Sequence, residues 1–288
     1  MNIFHFFLLN PDIFLVVIAI LSLFIGSFLN VIIYRLPRMM EQSWSEECRI
    51  YLGLKPHKEV EKLNLYLPFS HCPECKKIIR PWQNIPILSY LWLRGRCANC
   101  RVSISLRYPL VEALTCIVSI YVAWRFGISW QTLAALLFTW IIICLVFIDI
   151  DYHLLPDQLT LLLLWLGLFF SMYGIFNDSH DSIIGAIAGY LIFAITQFVF
   201  EWATGKTGMG QGDYKFLAAL GAYFGWQMLP LIVLLSSISG VIFAFTHMLI
   251  KRQFKSVPLP FGPYLAVAGW ITMLWGIEMM NYYMKLIY

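Results

Sequence analysis

Apolar residues in this chain occur in long blocks, separated by short polar segments. A helix needs about 20 predominantly apolar residues to cross the hydrocarbon core of a bilayer. The blocks therefore predict eight membrane-spanning helices, at 11–34, 108–126, 129–148, 158–176, 182–203, 214–226, 227–250 and 262–284. The sixth is short for a full crossing. The pattern as a whole predicts an all-α polytopic membrane protein.

The composition excludes an ordinary soluble domain. Hydrophobic residues make up 60% of the chain and charged residues only 12%, whereas a soluble domain carries about 25% charged residues. The first apolar block has no Lys or Arg before Arg35 and no small-residue cleavage site. It therefore predicts a retained helix and not a cleaved secretory signal.

The distribution of basic residues predicts the topology. Segment 35–107 carries 13 of the 20 Lys and Arg residues. Eight crossings with both termini in the periplasm place 18 of the 20 in the cytosol, as the positive-inside rule requires, and leave only Arg125 and Lys285 outside. Seven crossings would put one basic cluster on the wrong face, which is why the short sixth span is retained. We expect a multi-pass protein of the bacterial inner membrane.

This topology predicts three parts of the chain. Residues 1–34 form the first transmembrane helix, 35–107 form a small cytosolic loop domain, and 108–288 form the main transmembrane domain. Two clusters of glycine and proline, Gly205–Gly212 and Pro258–Pro263, fall at cytosolic ends of spans. Backbone of this kind at membrane depth lines a cavity or a site, because exposed backbone polar groups are costly in lipid.

The cytosolic loop domain contains two C-x-x-C pairs, separated by 21 residues. Each pair can direct two thiolates at one metal, and together they predict a tetrahedral, ribbon-like zinc site formed by Cys72, Cys75, Cys97 and Cys100. The reducing cytosol disfavours disulfides. Four thiolates leave no open coordination position, so this zinc would be structural. The alternative interpretation is a set of unpaired cysteines in an accessory loop.

Two aspartates lie where the topology brings the ends of different spans to the cytosolic edge of the membrane. Asp149 is at the end of the third span, and Asp213 precedes the sixth. Charged residues at such positions are candidates for function. If the pair shared one proton, the ionised carboxylate could activate a water and the protonated one could stabilise a tetrahedral oxyanion. We expect the glycines of segment 208–212 to give the backbone freedom that this approach requires.

Other interpretations of these acids remain open at this stage. Asp157 follows a proline at the start of a span and suits a helix N-cap, and Asp213 could be an N-cap as well. Asp151 would point away from Asp149 on a continuing helix and could be a solvated boundary charge. The remaining ionisable residues could support a site or lie at the membrane interface: Glu112, His153 and Glu201. Spacing alone does not select one pair.

The order of motifs along the chain resembles the bifunctional type 4 prepilin peptidase family. The residues that carry the resemblance are Gly26-Ser27-Phe28-Leu29-Asn30-Val31, Tyr34-Arg35-Leu36-Pro37, both C-x-x-C pairs, Ser105-Leu106-Arg107-Tyr108-Pro109 with Glu112, the Asp149–Asp157 stretch, the G-x-G-x-G-D motif ending at Asp213, and Pro260-Phe261-Gly262-Pro263. The resemblance covers nearly the whole chain.

The resemblance implies an activity and a substrate. It implies that Asp149 and Asp213 are the catalytic pair of an aspartyl endopeptidase. Its substrates would be type 4 prepilins and type II secretion pseudopilins, whose short basic leader is cut after a glycine at the cytosolic face. The new amino terminus would then be N-methylated with S-adenosylmethionine. No methyl-donor fingerprint is recognisable in the sequence, so the cofactor-binding residues stay unassigned. We expect contact with membrane lipid and none with nucleic acid.

Two functions from other classes compete with the protease. A proton-coupled carrier would use the carboxylates as a relay, and it predicts acids at mid-membrane and inverted repeats. A non-enzymatic assembly scaffold would use the zinc loop to dock a partner. It predicts that Asp149 and Asp213 can be replaced without loss of precursor processing.

Overall fold

The structure is a computed structural model that describes residues 3–55, 63–67, 70–72, 74–251 and 260–287. Within these residues nearly all regular structure is helical, and the β-pairing is limited to two isolated bridges, His71 with Ile78 and Arg96 with Ser103. The prediction of an all-α protein is confirmed. Backbone contacts divide the chain into two compact units, residues 1–128 and 129–288.

Among its described residues the first unit contains four α-helices and one 3₁₀ turn at Pro81–Asn84: α1 (Ile3–Leu9), α2 (Pro11–Tyr51), α3 (Leu88–Trp92) and α4 (Arg107–Phe126). The long helices α2 and α4 pack closely where α2 has no side chain, since a Cβ on Gly26 would lie 2.9 Å from Cα of Glu112. The Asn30 side-chain amide also donates to the Tyr108 carbonyl at 3.1 Å.

Helix α2 is longer than the apolar pattern predicts. The predicted span ended at residue 34, but the helix continues through Pro37 to Tyr51. Hydropathy predicts only the part of a helix that lies in lipid. It does not reveal whether the chain continues as a helix beyond that part. The extension begins at Arg35, whose buried guanidinium donates to the carbonyls of Asn64 (2.8 Å) and Leu65 (3.2 Å) and so ties the following loop to the helix.

In the part of the second unit that the structure describes there are six α-helices and a 3₁₀ turn at Trp226–Met228: α5 (Trp130–Tyr152), α6 (Asp157–Ser171), α7 (Ser179–Thr204), α8 (Gln211–Phe224), α9 (Leu229–Lys251) and α10 (Gly262–Ile287). Helix α8 is its core, because Tyr214 and every residue from Phe216 to Phe224 are buried. A Cβ on Gly185 of α7 would overlap the Gly221 carbonyl of α8, so small residues let these two helices approach closely, as in other membrane bundles.

Each predicted span coincides with a helix, but the helices differ in how well they suit a membrane. By length and composition five candidate spans qualify among the described residues: Pro11–Tyr51, Arg107–Phe126, Trp130–Tyr152, Ser179–Thr204 and Trp226–Ile250. The chain is therefore a multi-pass membrane protein. Eight crossings, periplasmic termini and the division at 34 and 107 stay predictions. The side chains of the basic cluster at 251–255 lie outside the described residues.

Candidate functional site

The end of α5 separates two aspartates that are two residues apart in sequence. Asp149 is 5% exposed, whereas Asp151 faces outward. The helix continues through both and ends at Tyr152, and His153 follows as a left-handed C-cap with φ 50°. Residues two apart on a helix point to nearly opposite sides, so the prediction that these carboxylates diverge is confirmed.

The Asp149 carboxylate is held by the start of another helix. Its Oδ2 accepts a hydrogen bond of 2.9 Å from the backbone amide of Gly262, the first residue of α10, and both groups are buried. The first amides of a helix have no partner within the helix and carry partial positive charge. This contact therefore orients the carboxylate.

Asp213 lies in the first turn of α8, and α8 is not among the five candidate spans. The N-cap of this helix is Gly210, whose carbonyl accepts the Asp213 amide at 3.2 Å. A Cβ on Gly210 would lie 3.7 Å from Oδ2 of Asp213, so the carboxylate folds back over the helix start. The alternative that Asp213 is an N-cap is wrong.

The two carboxylates interact electrostatically. Burial raises the pKa of Asp213 to about 7, with a further contribution from the charge of Asp149, while a backbone hydrogen bond from Gly210 acts in the opposite direction. Two carboxylates this strongly linked titrate as a pair and do not ionise together readily. The pair can therefore hold one proton near neutral pH.

Leu155 packs between the start of α8, which carries Asp213, and the start of α10, whose first amide bonds to Asp149. A Cβ on Gly212 would lie 2.8 Å from Cβ of Leu155, and one on Gly262 would lie 3.0 Å from its Cδ2. We expected segment 208–212 to need unusual backbone angles, but Gly205, which caps α7, is the glycine of this region with positive φ. The glycine at position 212 serves close packing against Leu155 instead.

A second contact holds the same segment, and sequence reasoning missed it. Oε1 of Gln197, in α7, accepts the backbone amides of Gly208 (3.1 Å) and Met209 (3.0 Å). The signal was present in the sequence as a polar residue within the apolar block 182–203, because such residues are expensive in a membrane and mark function.

The capping role predicted for Asp157 is wrong. The N-cap of α6 is Pro156, with no side-chain cap. The Asp157 carboxylate instead pairs with Lys215 of α8, whose Nζ lies 2.7 and 2.8 Å from its two oxygens. The chain enters α6 through proline, and the side chain of its first residue is directed at the neighbouring helix. This ion pair joins the starts of α6 and α8.

The other ionisable candidates lie elsewhere. Glu112 is buried within the first unit, where its Oε2 accepts the Ile87 amide at 2.8 Å and its carboxylate also bonds to Ser27. It therefore supports local structure and does not extend to the interface. Glu201 and His153 are exposed.

The four predicted zinc ligands lie together in the first unit. All four sulfur atoms of Cys72, Cys75, Cys97 and Cys100 are within 4.8 Å of one another. Cys72 and Cys100 have their Sγ atoms 3.7 Å apart. Zn–S bonds of about 2.3 Å in a tetrahedron place the sulfurs roughly 3.8 Å apart. The cluster could therefore bind a metal such as zinc.

Both C-x-x-C pairs have the same backbone conformation. In the first, the Cys72 amide donates to the Lys77 carbonyl, and the Lys76 amide returns a bond to Cys72, each at 3.0 Å. The second repeats this arrangement at Cys97, to which the Arg101 amide donates at 3.1 Å. Lys76 and Arg101 have φ of 56° and 60°. These tight turns aim both thiols of each pair to one side.

Backbone amides favour the thiolate, the form that binds metal, at two of the four cysteines. A hydrogen bond from the Lys77 backbone lowers the pKa of Cys75 to about 6, with a smaller contribution from the Asn99 side chain. Bonds from the backbone of Cys100 and then of Asn99 lower the pKa of Cys97. At Cys100 a backbone hydrogen bond from Val102 is outweighed by burial and by the neighbouring cysteine side chains, which raise the pKa of this thiol to about 11.

Comparison with known proteins relates both units to one family. Residues 20–126 match the bacterial peptidase A24 N-terminal domain, and residues 136–245 match the type IV leader peptidase family. The chain is 48% identical over 276 residues to the "Prepilin leader peptidase/N-methyltransferase" of Pseudomonas aeruginosa, covering 96% of this chain and 95% of the relative.

Proteins of the same name from Aeromonas salmonicida and Legionella pneumophila are 50% and 45% identical, and the matches cover 96% and 93% of each chain. No solved structure matches the chain. The two family models together span most of its length, and the similarity to these relatives is nearly end to end. The chain therefore belongs to the type IV leader peptidase family.

Proposed function

We propose that this protein cleaves the leader peptides of type 4 prepilins and type II secretion pseudopilins, and then N-methylates the new amino terminus with S-adenosylmethionine. The observation that carries the proposal is the pair of carboxylates Asp149, which is buried, and Asp213, which is partly buried, each held at a helix end and linked electrostatically. The names of the relatives support both activities.

The surroundings of the two aspartates favour different roles. Asp149, which the Gly262 amide orients, would take a proton from water as the water oxygen bonds to the scissile carbonyl carbon. Burial favours a protonated Asp213, which would donate a hydrogen bond to the developing oxyanion. When the C–N bond breaks, the departing amine receives the proton that Asp149 took from water, so the pair returns to its shared-proton state.

The proposed reaction takes place at the cytosolic face of the inner membrane. Asp149 lies near the end of α5 and Asp213 near the start of α8, and the predicted topology assigns both of these helix ends to the cytosolic edge of the membrane. This placement favours a peptidase over a proton-coupled carrier, whose relay requires acids at mid-membrane. The expected partners are precursor proteins and membrane lipid, with no nucleic acid.

Zinc in this protein would be structural. Cys72, Cys75, Cys97 and Cys100 would all bind it, which fills a tetrahedral site. The metal would supply a cross-link between the two turns of a loop that has little core of its own. It leaves no position for a substrate or a water, so hydrolysis is assigned to the aspartates.

Methylation is the second activity of the proposed function. Support comes from the name of the relatives and from the match of residues 20–126 to the N-terminal domain. The methyl donor would be S-adenosylmethionine. No described residue is proposed here as its ligand.

Co-expression with a candidate prepilin tests the proposal. Mass spectrometry of the intact mature pilin should show loss of the leader and one added methyl group on the amino-terminal residue. A precursor that keeps its leader would contradict the peptidase. Cleavage without methylation would contradict only the second activity.

A further inference from the structure

The segment that leads to Asp213 is attached to α7 by one side chain. Gln197 is buried, and its Oε1 accepts two successive backbone amides, from Gly208 at 3.1 Å and from Met209 at 3.0 Å. The Phe200 ring packs against the same segment, since a Cβ on Gly208 would lie 2.9 Å from it. Position 208 thus fits closely between two side chains of α7.

Burying a carboxamide in a membrane helix is costly unless its polar atoms are paired. Two backbone amides without hydrogen-bond partners would also be costly beside the end of a membrane helix. The Gln197 contact pairs the carbonyl oxygen of the carboxamide and both backbone amides at once. It uses an amide side chain where Leu or Phe, the neighbouring residue types in α7, would have served packing alone.

A short run of backbone connects this contact to Asp213. Both backbone polar groups of Met209 are hydrogen-bonded, because its amide donates to Gln197 and its carbonyl accepts the Tyr214 hydroxyl at 3.4 Å. The next residue, Gly210, is the N-cap of α8, and its carbonyl accepts the Asp213 amide. A shift of Met209 therefore moves the first turn of α8 and the carboxylate on it.

We propose that Gln197 is a positioning residue for the peptidase, which fixes the Gly208–Met209 segment and through it the place of the Asp213 carboxylate. This inference rests on the proposed catalytic role of Asp213. Gln197 does not itself act on substrate. Its contribution is to hold one carboxylate where it can share a proton with the other.

A purely structural role would have different kinetics. If Gln197 only satisfied buried amides, its loss would lower stability and leave the turnover of folded enzyme unchanged. A displaced carboxylate lowers kcat instead and changes KM little, because substrate binding does not require it. A misplacement of about 1 Å can reduce turnover about 100-fold.

The experiment compares variants of the full-length protein in detergent, with a purified prepilin as substrate. Gln197→Leu and Gln197→Met remove the carbonyl acceptor at similar size, and Gln197→Glu keeps an oxygen at the same reach. Thr196→Val is the matched control, because Thr196 is exposed on the same helix and bonds only within it, to the Ile192 carbonyl. Asp213→Asn is measured in parallel.

We expect kcat to fall about 10- to 100-fold in Gln197→Leu, with KM within about threefold of wild type. Gln197→Glu should recover most of this loss, and Thr196→Val should match wild type. The proposal is overturned if Gln197→Leu turns over like Thr196→Val, if KM rises instead, or if Glu is no better than Leu.

Folding is checked by thermal unfolding of each purified variant. If Leu does not fold, Gln197→Met makes the same comparison, and failure of both apolar variants would overturn the proposal in favour of a structural role. Cleavage by Asp213→Asn would contradict the proposed function itself. An inactive Asp213→Asn beside a fully active Gln197→Leu would contradict only the positioning role.

Discussion

The backbone amide of Gly262 donates to Oδ2 of Asp149 across 2.9 Å, although 113 residues separate them in the chain. The first residue of α10 thus sets the orientation of a carboxylate at the end of α5. A Cβ at position 262 would lie only 2.6 Å from that oxygen and 3.0 Å from Cδ2 of Leu155. Glycine is required at this position by close approach.

Replacing Gly262 by alanine should therefore impair cleavage. The added methyl group would force the Asp149 carboxylate to rotate away from the amide. We expect kcat for prepilin cleavage to fall roughly 10- to 100-fold, since small misplacements of a reacting group cost about this much. Steady-state cleavage of purified prepilin would measure the change.

Gly240→Ala is the matched control, because a Cβ at position 240 would meet its nearest atom, in the Tyr264 ring, at an ordinary 3.5 Å. It should cleave like wild type. If Gly262→Ala were equally active, the Gly262 contact would have no part in orienting Asp149.

The raised pKa of Asp213 predicts how cleavage depends on pH. Burial and the charge of Asp149 raise this pKa to about 7, so Asp213 keeps its proton below that pH and loses it above. Loss of the proton removes the donor to the oxyanion, and kcat should decline as pH rises through about 7. A kcat that is constant from about pH 6 to about pH 9 would disagree with a shared proton.

The ion pair between Asp157 and Lys215 should contribute little. Their side chains are 52% and 28% exposed, and partly exposed pairs contribute about 1 kcal/mol or less. Asp157→Asn should lower the free energy of unfolding by no more than that and leave cleavage within about twofold of wild type. Thermal unfolding and prepilin cleavage of the same preparation would measure both. A loss of activity as severe as in Asp213→Asn would show that Asp157 belongs to the site.

The apolar blocks predicted where the helices lie because the membrane imposes its thickness on the sequence. They could not predict the polar extension of α2 to Tyr51, which lies beyond that constraint. Helical periodicity separated Asp149 from Asp151, and the C-x-x-C spacing located the cysteine cluster. Both are local properties of the chain.

The contacts around the two aspartates could not be predicted in the same way. The bond from Gly262 to Asp149 uses a backbone amide, which has no residue type to reveal it, and it joins distant segments. Asp157 had the sequence pattern of a cap, but a neighbouring lysine on another helix provided the stronger partner. Such choices depend on tertiary packing, which a single sequence does not display.

Metal analysis tests the cysteine cluster. Purified protein should contain about one zinc per chain, and Cys97→Ser should lose it, because removing one thiolate weakens both metal binding and local folding. Cys48→Ser is the control, since Cys48 is exposed and outside the cluster; it should retain its zinc. A metal-free wild type with full activity would exclude a structural zinc.

The central claim is that Asp149 and Asp213 perform the cleavage together, and replacing each by asparagine tests it most directly. Asparagine has nearly the same shape but can neither accept a proton from water nor hold the shared one. Cleavage of prepilin, read by mass spectrometry of its amino terminus, should be abolished in Asp149→Asn and in Asp213→Asn, with both proteins folded and inserted in the membrane. Asp151→Asn, at the exposed neighbour of Asp149, should retain activity. Near wild-type cleavage by either Asp149→Asn or Asp213→Asn would contradict the account.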